Sequence, residues 1–288
     1  MWQQHKAFYL AIVSVLLAMV TIQSGASIAK QLFPLIGPAG TTALRVGFSA
    51  IMLWCVFRPW RALSTHRNWR AIVVYGLCLG GMNLLFYLAI ARIPLGIGVA
   101  LEFTGPLAVA LFSSRRRLDL LWVALALGGI LLLLPDMRSV DALDPVGVML
   151  ALAAGACWAG YILYGQRAGN LGSGGVTVAL GMTVAAAFLV PIGIVSAGSA
   201  LLNWQIIPLA IAVAALSSAL PYSLEMIALK NLSAQNFSVL MSVEPAIAAL
   251  AGFILLSELL SLTQWLAIFF VISASLGSTL SGRKSLTT

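Results

Sequence analysis

Stretches of about 18 to 22 apolar residues with almost no charge recur from one end of the chain to the other, each long enough to cross roughly 30 Å of hydrocarbon as a helix. In a bilayer only helices and closed barrels satisfy their own backbone polar groups, so windows of this length restrict the chain to a bundle of transmembrane helices. Hydrophobic residues make up 61% of the 288 positions and charged ones only 8%, too few charges to cover a soluble domain of this size. A net charge of +8 would point to nucleic acid in a soluble protein. Here the basic residues gather in short connections between the apolar stretches, which is a signal of membrane orientation and not of nucleic-acid binding.

The expected fold is an all-α polytopic membrane protein. Its ten spans are predicted at about residues 7–29, 37–57, 69–90, 94–112, 118–134, 146–165, 175–197, 204–228, 233–255 and 261–281. The first is kept as a span because its apolar run is long for a signal peptide and no A-x-A site follows it. Ten spans put both termini on one face. On that face fall Lys6, Arg58, Arg61, Arg67, Arg70, Arg115, Arg116, Arg117, Arg167, Lys230, Arg283 and Lys284, twelve cations against Lys30, Arg92 and Arg138 on the other. The termini are therefore read as cytoplasmic. The connection with Asp136, Asp141 and Asp144 is then external. Cys55, Cys78 and Cys157 lie inside predicted spans without CxxC or metal spacing and read as small packing residues.

The fourth span carries an acid, Glu102, and a proline four residues later, Pro106. Placing Pro106 on Pro245, an offset of 139 residues, lays positions 88–106 over 227–245, where a second acid, Glu244, precedes the proline. Ala89 then meets Ala228, Leu101 meets Leu240, and Asn83 meets Tyr222. The register is inexact for the acids, since Glu102 overlays Met241 and Glu244 overlays Gly105. This offset carries spans three and four onto eight and nine, so each half holds five spans. An odd number makes the second half enter from the opposite face, the inverted-repeat plan of many transporters. The expected division is 1–135 for the first repeat, 136–144 for an outer connection, and 145–288 for the second repeat with a short basic tail.

Ionisable groups at membrane depth are costly and mark solute or ion pathways. Glu102 and Glu244 are the leading candidates to receive an ammonium group or a proton; the alternative is a structural acid bonded to a neighbouring helix. Gly98 and Gly105 flank Glu102 and read as close-approach positions. Asn83 and Tyr87 share a face of span three, Trp158 and Tyr161 a face of span six, and Ser218, Tyr222 and Glu225 form a stripe on span eight. Glu225 falls near the predicted cytoplasmic end, where pairing with Lys230 or hydration accounts for it equally well. Arg45 either holds a substrate carboxylate or pairs structurally with an acid near the outer end, and the second is preferred because Thr41 and Thr42 precede it. No Walker, HExxH, paired-histidine or GxSxG pattern occurs, and His5 and His66 fall in cytoplasmic segments. An enzyme, a cofactor and a metal are therefore not expected.

The strings PLGIGVALEFTGPLAVALFSSRR (94–116), GACWAGYILYGQRAG (155–169) and ALPYSLEMIALK (219–230) resemble the amino-acid exporter branch of the drug/metabolite transporter superfamily, of EamA type, over nearly the whole chain. The resemblance implies two inverted five-helix repeats in the bacterial inner membrane and a central cavity for threonine, homoserine or related amino acids, aromatic ones included. Glu102 and Glu244 would then take the ammonium group, with Asn83, Tyr87, Trp158, Tyr161 and Tyr222 around the rest and Asn83, Arg45 or freed backbone amides at the carboxylate. The competing expectations are a drug or cationic-metabolite exporter of the same superfamily, and a membrane enzyme or lipid-binding assembly factor.

Overall fold

The computed structural model describes residues 2–61, 69–93, 95–113, 117–133, 144–169 and 174–241, together with Val243, Glu244, Ile247, Leu262, Thr263, Trp265, Leu266, Phe269, Phe270, Ser273 and Ala274. Among these the chain is helical throughout. In order come α1 (Trp2–Ala29), α2 (Phe33–Phe57), α3 (Trp69–Ile90), α4 (Leu95–Glu102), α5 (Thr104–Ser113), α6 (Arg117–Leu133), α7 (Pro145–Gly169), α8 (Gly174–Ala197), α9 (Ile207–Ala214), α10 (Leu220–Asn231) and α11 (Ala234–Met241). Six stretches are long and apolar enough to cross a membrane: Ala7–Ala26, Phe33–Phe57, Trp69–Ile90, Pro145–Gly169, Gly174–Leu202 and Ile207–Asn231. The protein is a multi-pass membrane protein. They coincide with the expected spans one, two, three, six, seven and eight.

The fourth expected span is broken into α4 and α5 at Phe103, and the cause is Pro106. Proline has no N–H to give the carbonyl of Glu102, four residues back, so the helix opens beside the acid. The fifth is α6, with an apolar segment at Leu120–Gly129. The ninth is seen as far as α11, and the tenth lies mostly outside the described residues. Outside them also fall His66, Arg67, Arg115, Arg116, Asp136, Arg138, Asp141, Pro245, Arg283 and Lys284.

Two other helices bend where their sequences require it. In α2 the kink is at Gly37, whose φ of 67° is reached without penalty by glycine and which precedes Pro38. The second span therefore starts straight from Gly37, as its sequence suggests. Between α9 and α10 the residues Ala215–Ala219 form a turn of π-helix, with Leu220 N–H bonding back to the Ala215 carbonyl. Pro221 withholds a donor from the carbonyl of Ser217, and the wider turn accommodates that loss.

Helix α2 packs along α8; α3 packs on α7 and α8; and the α9–α10 unit packs in the same manner on α1 and α2. Small residues allow these crossings. Cys78 lies against Gly160 and Cys157 against Gly81, so two of the cysteines fill helix contacts between α3 and α7. A side chain on Gly105 would collide with the Gly155 carbonyl, and one on Gly155 with the carbonyl of Glu102, so α7 crosses the broken helix at backbone contact. Lipid-facing surfaces are as apolar as the interior: in α1, Ala11, Val15 and Met19 are buried while Leu10, Val13 and Leu17 are exposed.

At the face read as external, Asp144 caps α7 through Oδ1, which accepts from Val146 N at 2.8 Å. Its Oδ2 accepts from Arg92 Nη1 at 3.1 Å, tying the α3–α4 connection to the start of α7. The Arg92 hydrogen bond, followed by the capping amides, holds the Asp144 carboxyl below its ordinary range.

Candidate functional site

A cavity of about 640 Å³, open solvent at its mouth included, lies between α1, α2, α3, α4, α7 and the α9–α10 unit. The residues that face it follow from the helix breaks. Pro106 and Phe103 end α4 so that Glu102 stands at its last position, and the π turn brings Ser217 to the wall beside Tyr222 and Glu225 of α10. From α1 come Ile22, Gln23 and Ala26, from α2 Arg45, from α3 Met82, Asn83, Phe86 and Tyr87, from α7 Trp158, and beyond α11 Glu244. Four ionisable side chains therefore meet in one enclosure: Arg45 is 5% exposed, Glu102 7%, Glu225 2% and Glu244 6%.

Each of these is held differently. Arg45 donates from Nη1 to Tyr87 Oη at 2.7 Å, and its guanidinium lies 4.6 Å from the centre of the Tyr87 ring. Its hydrogen-bond partner is a tyrosine, and it forms no ion pair with an acid among the described residues. Stacking plus a single hydrogen bond fixes the plane of the guanidinium while leaving donors over, and Nε has no hydrogen-bond partner among the described residues. Glu244 accepts from Gln23 Nε2 at 3.3 Å through Oε1, while Oε2 is buried with no hydrogen-bond partner among the described residues. Glu102 makes no side-chain hydrogen bond among the described residues. Three carboxyls against one guanidinium leave the enclosure short of positive charge, which in a low-dielectric interior calls for protons or a cationic ligand.

Glu225 is the residue that sequence reasoning set aside. Instead of pairing with Lys230 at a wetted helix end, it is buried, lines the cavity, and accepts from Tyr161 Oη at 2.6 Å. The signal was present in the spacing of Ser218, Tyr222 and Glu225. What hid it was linear position: six residues of α10 remain after Glu225, more than a turn and a half of helix, enough to carry it inward from the end. Tyr161 itself lies behind the wall, stacked on Tyr75 at 5.2 Å and near Tyr222 at 5.9 Å, and reaches the cavity only through Glu225. Ser218 is buried away from the cavity, where the π turn presents Ser217 instead.

At the centre, Tyr222 Oη donates to Asn83 Oδ1 at 2.9 Å, and Asn83 Nδ2 donates to the Leu79 carbonyl at 2.7 Å. Trp158 lies edge-on to Phe103 at 5.7 Å, closing the apolar side of the enclosure.

A bundle of membrane-crossing helices around a buried, charge-lined cavity is the construction of a solute transporter. Residues 145–280 match the EamA-like transporter family. Threonine/homoserine exporter RhtA of Escherichia coli (strain K12) is 55% identical over 276 residues, covering 96% of this chain and 93% of that one. Uncharacterized transporter YwfM of Bacillus subtilis (strain 168) is 27% identical over 80% of this chain and 79% of its own. A solved structure described as "Crystal structure of protein" superposes with a TM-score of 0.75 over 97% of this chain and 98% of that one, at 18% identity, a likeness of fold alone. The chain belongs to the EamA-like transporter family.

Proposed function

We propose that the protein exports amino acids, threonine and homoserine foremost, from the cytoplasm across the bacterial inner membrane by opening its central cavity alternately to the two faces. The observation that carries this reading is the meeting of Arg45, oriented by Tyr87, with Glu102, Glu225 and Glu244 in one buried enclosure. An amino acid is a zwitterion. Its ammonium group has carboxylates to receive it, and its carboxylate has the remaining donors of Arg45, so neither end is left uncompensated at membrane depth. Met82, Phe86 and Trp158 supply an apolar wall for the side chain of the substrate, aromatic ones included. Identity of 55% to a threonine/homoserine exporter over almost the whole chain supports the same substrate class.

The alternating mechanism rests on an inverted repeat of five helices in residues 1–135 and five in 145–288, with both termini cytoplasmic. Two observations support it: the offset of 139 residues, and packing in which α3 on α7 and α8 is matched by α9–α10 on α1 and α2. The test is counterflow in proteoliposomes loaded with threonine. Threonine and homoserine are expected to drive labelled threonine inward while tetraphenylphosphonium does not compete. Strong competition by that cation with none by amino acids would replace this reading with a cationic-metabolite exporter.

A further inference from the structure

The two halves are not in equivalent states. Helix α7 touches α10, whereas their counterparts in the first repeat, α1 and α3, make no comparable contact and have the cavity between them. Which residues correspond is fixed by packing: Gly160 lies on Cys78, Gly25 lies on Ser217, and Cys78 and Ser217 are 139 apart. Gly25 therefore matches Gly160, and the next residues, Ala26 and Tyr161, match each other. Glu225 matches Phe86 by the same offset.

These matched pairs differ in chemistry. Tyr161 and Glu225 are joined by a 2.6 Å hydrogen bond, and Gln166 Nε2 donates to the Leu232 carbonyl at 3.0 Å further along, so polar contacts close α7 onto α10. Ala26 and Phe86 both line the cavity and have no polar side-chain atoms. Helix α10 runs toward the cytoplasmic face in the orientation proposed above and α3 runs away from it, so Glu225 lies on the cytoplasmic side of Tyr222 and Phe86 on the outer side of Asn83. The cavity is thus shut below by the Tyr161–Glu225 hydrogen bond, and the matched places above are held by the apolar Ala26 and Phe86.

We infer that Tyr161 and Glu225 are the cytoplasmic latch of the transporter, and that the ammonium group of an amino acid arriving from the cytoplasm opens it by replacing the Tyr161 hydroxyl on the Glu225 carboxylate. This rests on the exporter reading and its orientation. The exchange is favourable in kind, because a carboxylate accepts from an ammonium group more strongly than from a neutral phenol. It also ties opening to loading: the latch releases when a group able to replace the phenol is present. The outer side, where Ala26 and Phe86 stand in the matched places, has no such bond between those two positions to break.

The experiment uses the full chain with Cys55→Ala, Cys78→Ala and Cys157→Ala, carrying either Leu229→Cys, at the buried contact with Gly165, or Ile22→Cys, in the cavity wall. An impermeant maleimide is applied to each membrane face. In this background Ile22→Cys is expected to label from the outer face and Leu229→Cys to be protected. Adding Tyr161→Phe, which removes one oxygen, is expected to speed labelling of Leu229→Cys from the cytoplasmic face about tenfold and to slow Ile22→Cys, the change in ratio worth one charge-assisted hydrogen bond. Cytoplasmic threonine is expected to speed Leu229→Cys when Glu225 is present and to have no effect in Glu225→Gln. The graft Ala26→Tyr with Phe86→Glu is expected to protect Ile22→Cys. Unchanged rates in Tyr161→Phe, or a threonine effect that survives Glu225→Gln, would overturn the latch. If Tyr161→Phe redistributes labelling while threonine is neither transported nor felt at either face, the exporter reading fails, substrate-triggered opening fails with it, and the Tyr161–Glu225 closure stands.

Discussion

The hydroxyl of Tyr222 donates to Asn83 Oδ1 at 2.9 Å, and the two residues are 139 positions apart. Residues that occupy the same place in two repeats related by a two-fold axis can touch only close to that axis. In the inverted repeat proposed above, the bond would therefore lie at the axis between α3 and α10, with Glu102, Glu225, Glu244 and Arg45 lining the same cavity. Asn83 is fixed for this role, since its amide nitrogen is already given to the Leu79 carbonyl. In a double-mutant cycle with Asn83→Ala and Tyr222→Phe, thermal unfolding in detergent is expected to give a coupling of about 1 kcal/mol. Additive effects would show that the bond contributes nothing net.

The crossing of α5 and α7 at Gly105 and Gly155 has no space for a methyl group. Gly105→Ala and Gly155→Ala are each expected to destabilise the detergent-solubilised protein by about 1–3 kcal/mol, the usual cost of overpacking. Gly128→Ala, in α6 with nothing within 4 Å of the new carbon, is expected to match or exceed the parent. Equal melting of all three would remove close approach as the reason for these glycines.

Arg45→Lys keeps the charge but loses both the planar stack on Tyr87 and the fork that could meet a carboxylate. The concentration of threonine giving half-maximal counterflow is expected to rise about tenfold, as for loss of a charge-assisted hydrogen bond. Tyr87→Phe, which keeps the ring, is expected to have a smaller effect. Unchanged affinity in Arg45→Lys would remove the carboxylate from this side of the cavity.

At the face read as external the sign of one pH effect follows from Asp144. Its carboxyl is depressed by Arg92 in the folded protein. The pair therefore contributes stability above the ordinary aspartate range, and that contribution is lost as pH falls through the depressed folded value, below about 4. Asp144→Asn keeps a helix cap and removes only the charge. Its melting temperature is expected to lie below the parent's near neutral pH, to converge on it in acid, and to approach it also in high salt because the pair is exposed. A difference that grows in acid would reverse the assignment.

Much of this could be read from residue order, and the failures have physical causes. The length of apolar windows exposes spans because backbone desolvation leaves few alternatives. Glu102 stands out because one charge in an apolar run is conspicuous, and Pro106 marks the break beside it. Helix faces were hidden: lipid and protein interior are equally apolar, so Leu10 and Ala11 look alike in sequence though one is exposed and the other buried. The partner of Arg45 was hidden because charge pairing suggests an acid, and a tyrosine 42 residues away supplies both ring and hydroxyl. Gln23 and Glu244, 221 residues apart, meet only through the packing of the whole bundle.

The most direct test of export through this cavity is threonine counterflow by Glu102→Gln beside the parent, both shown to be folded by thermal unfolding. Glutamine keeps the size and hydrogen-bonding ability of the side chain and removes the charge that would receive an ammonium group. Counterflow is expected to fall at least about tenfold, the value of one hydrogen bond to a charged group, with Glu102→Asp recovering part of it. Transport by Glu102→Gln at the parent rate and affinity would contradict a role for Glu102 in receiving the substrate.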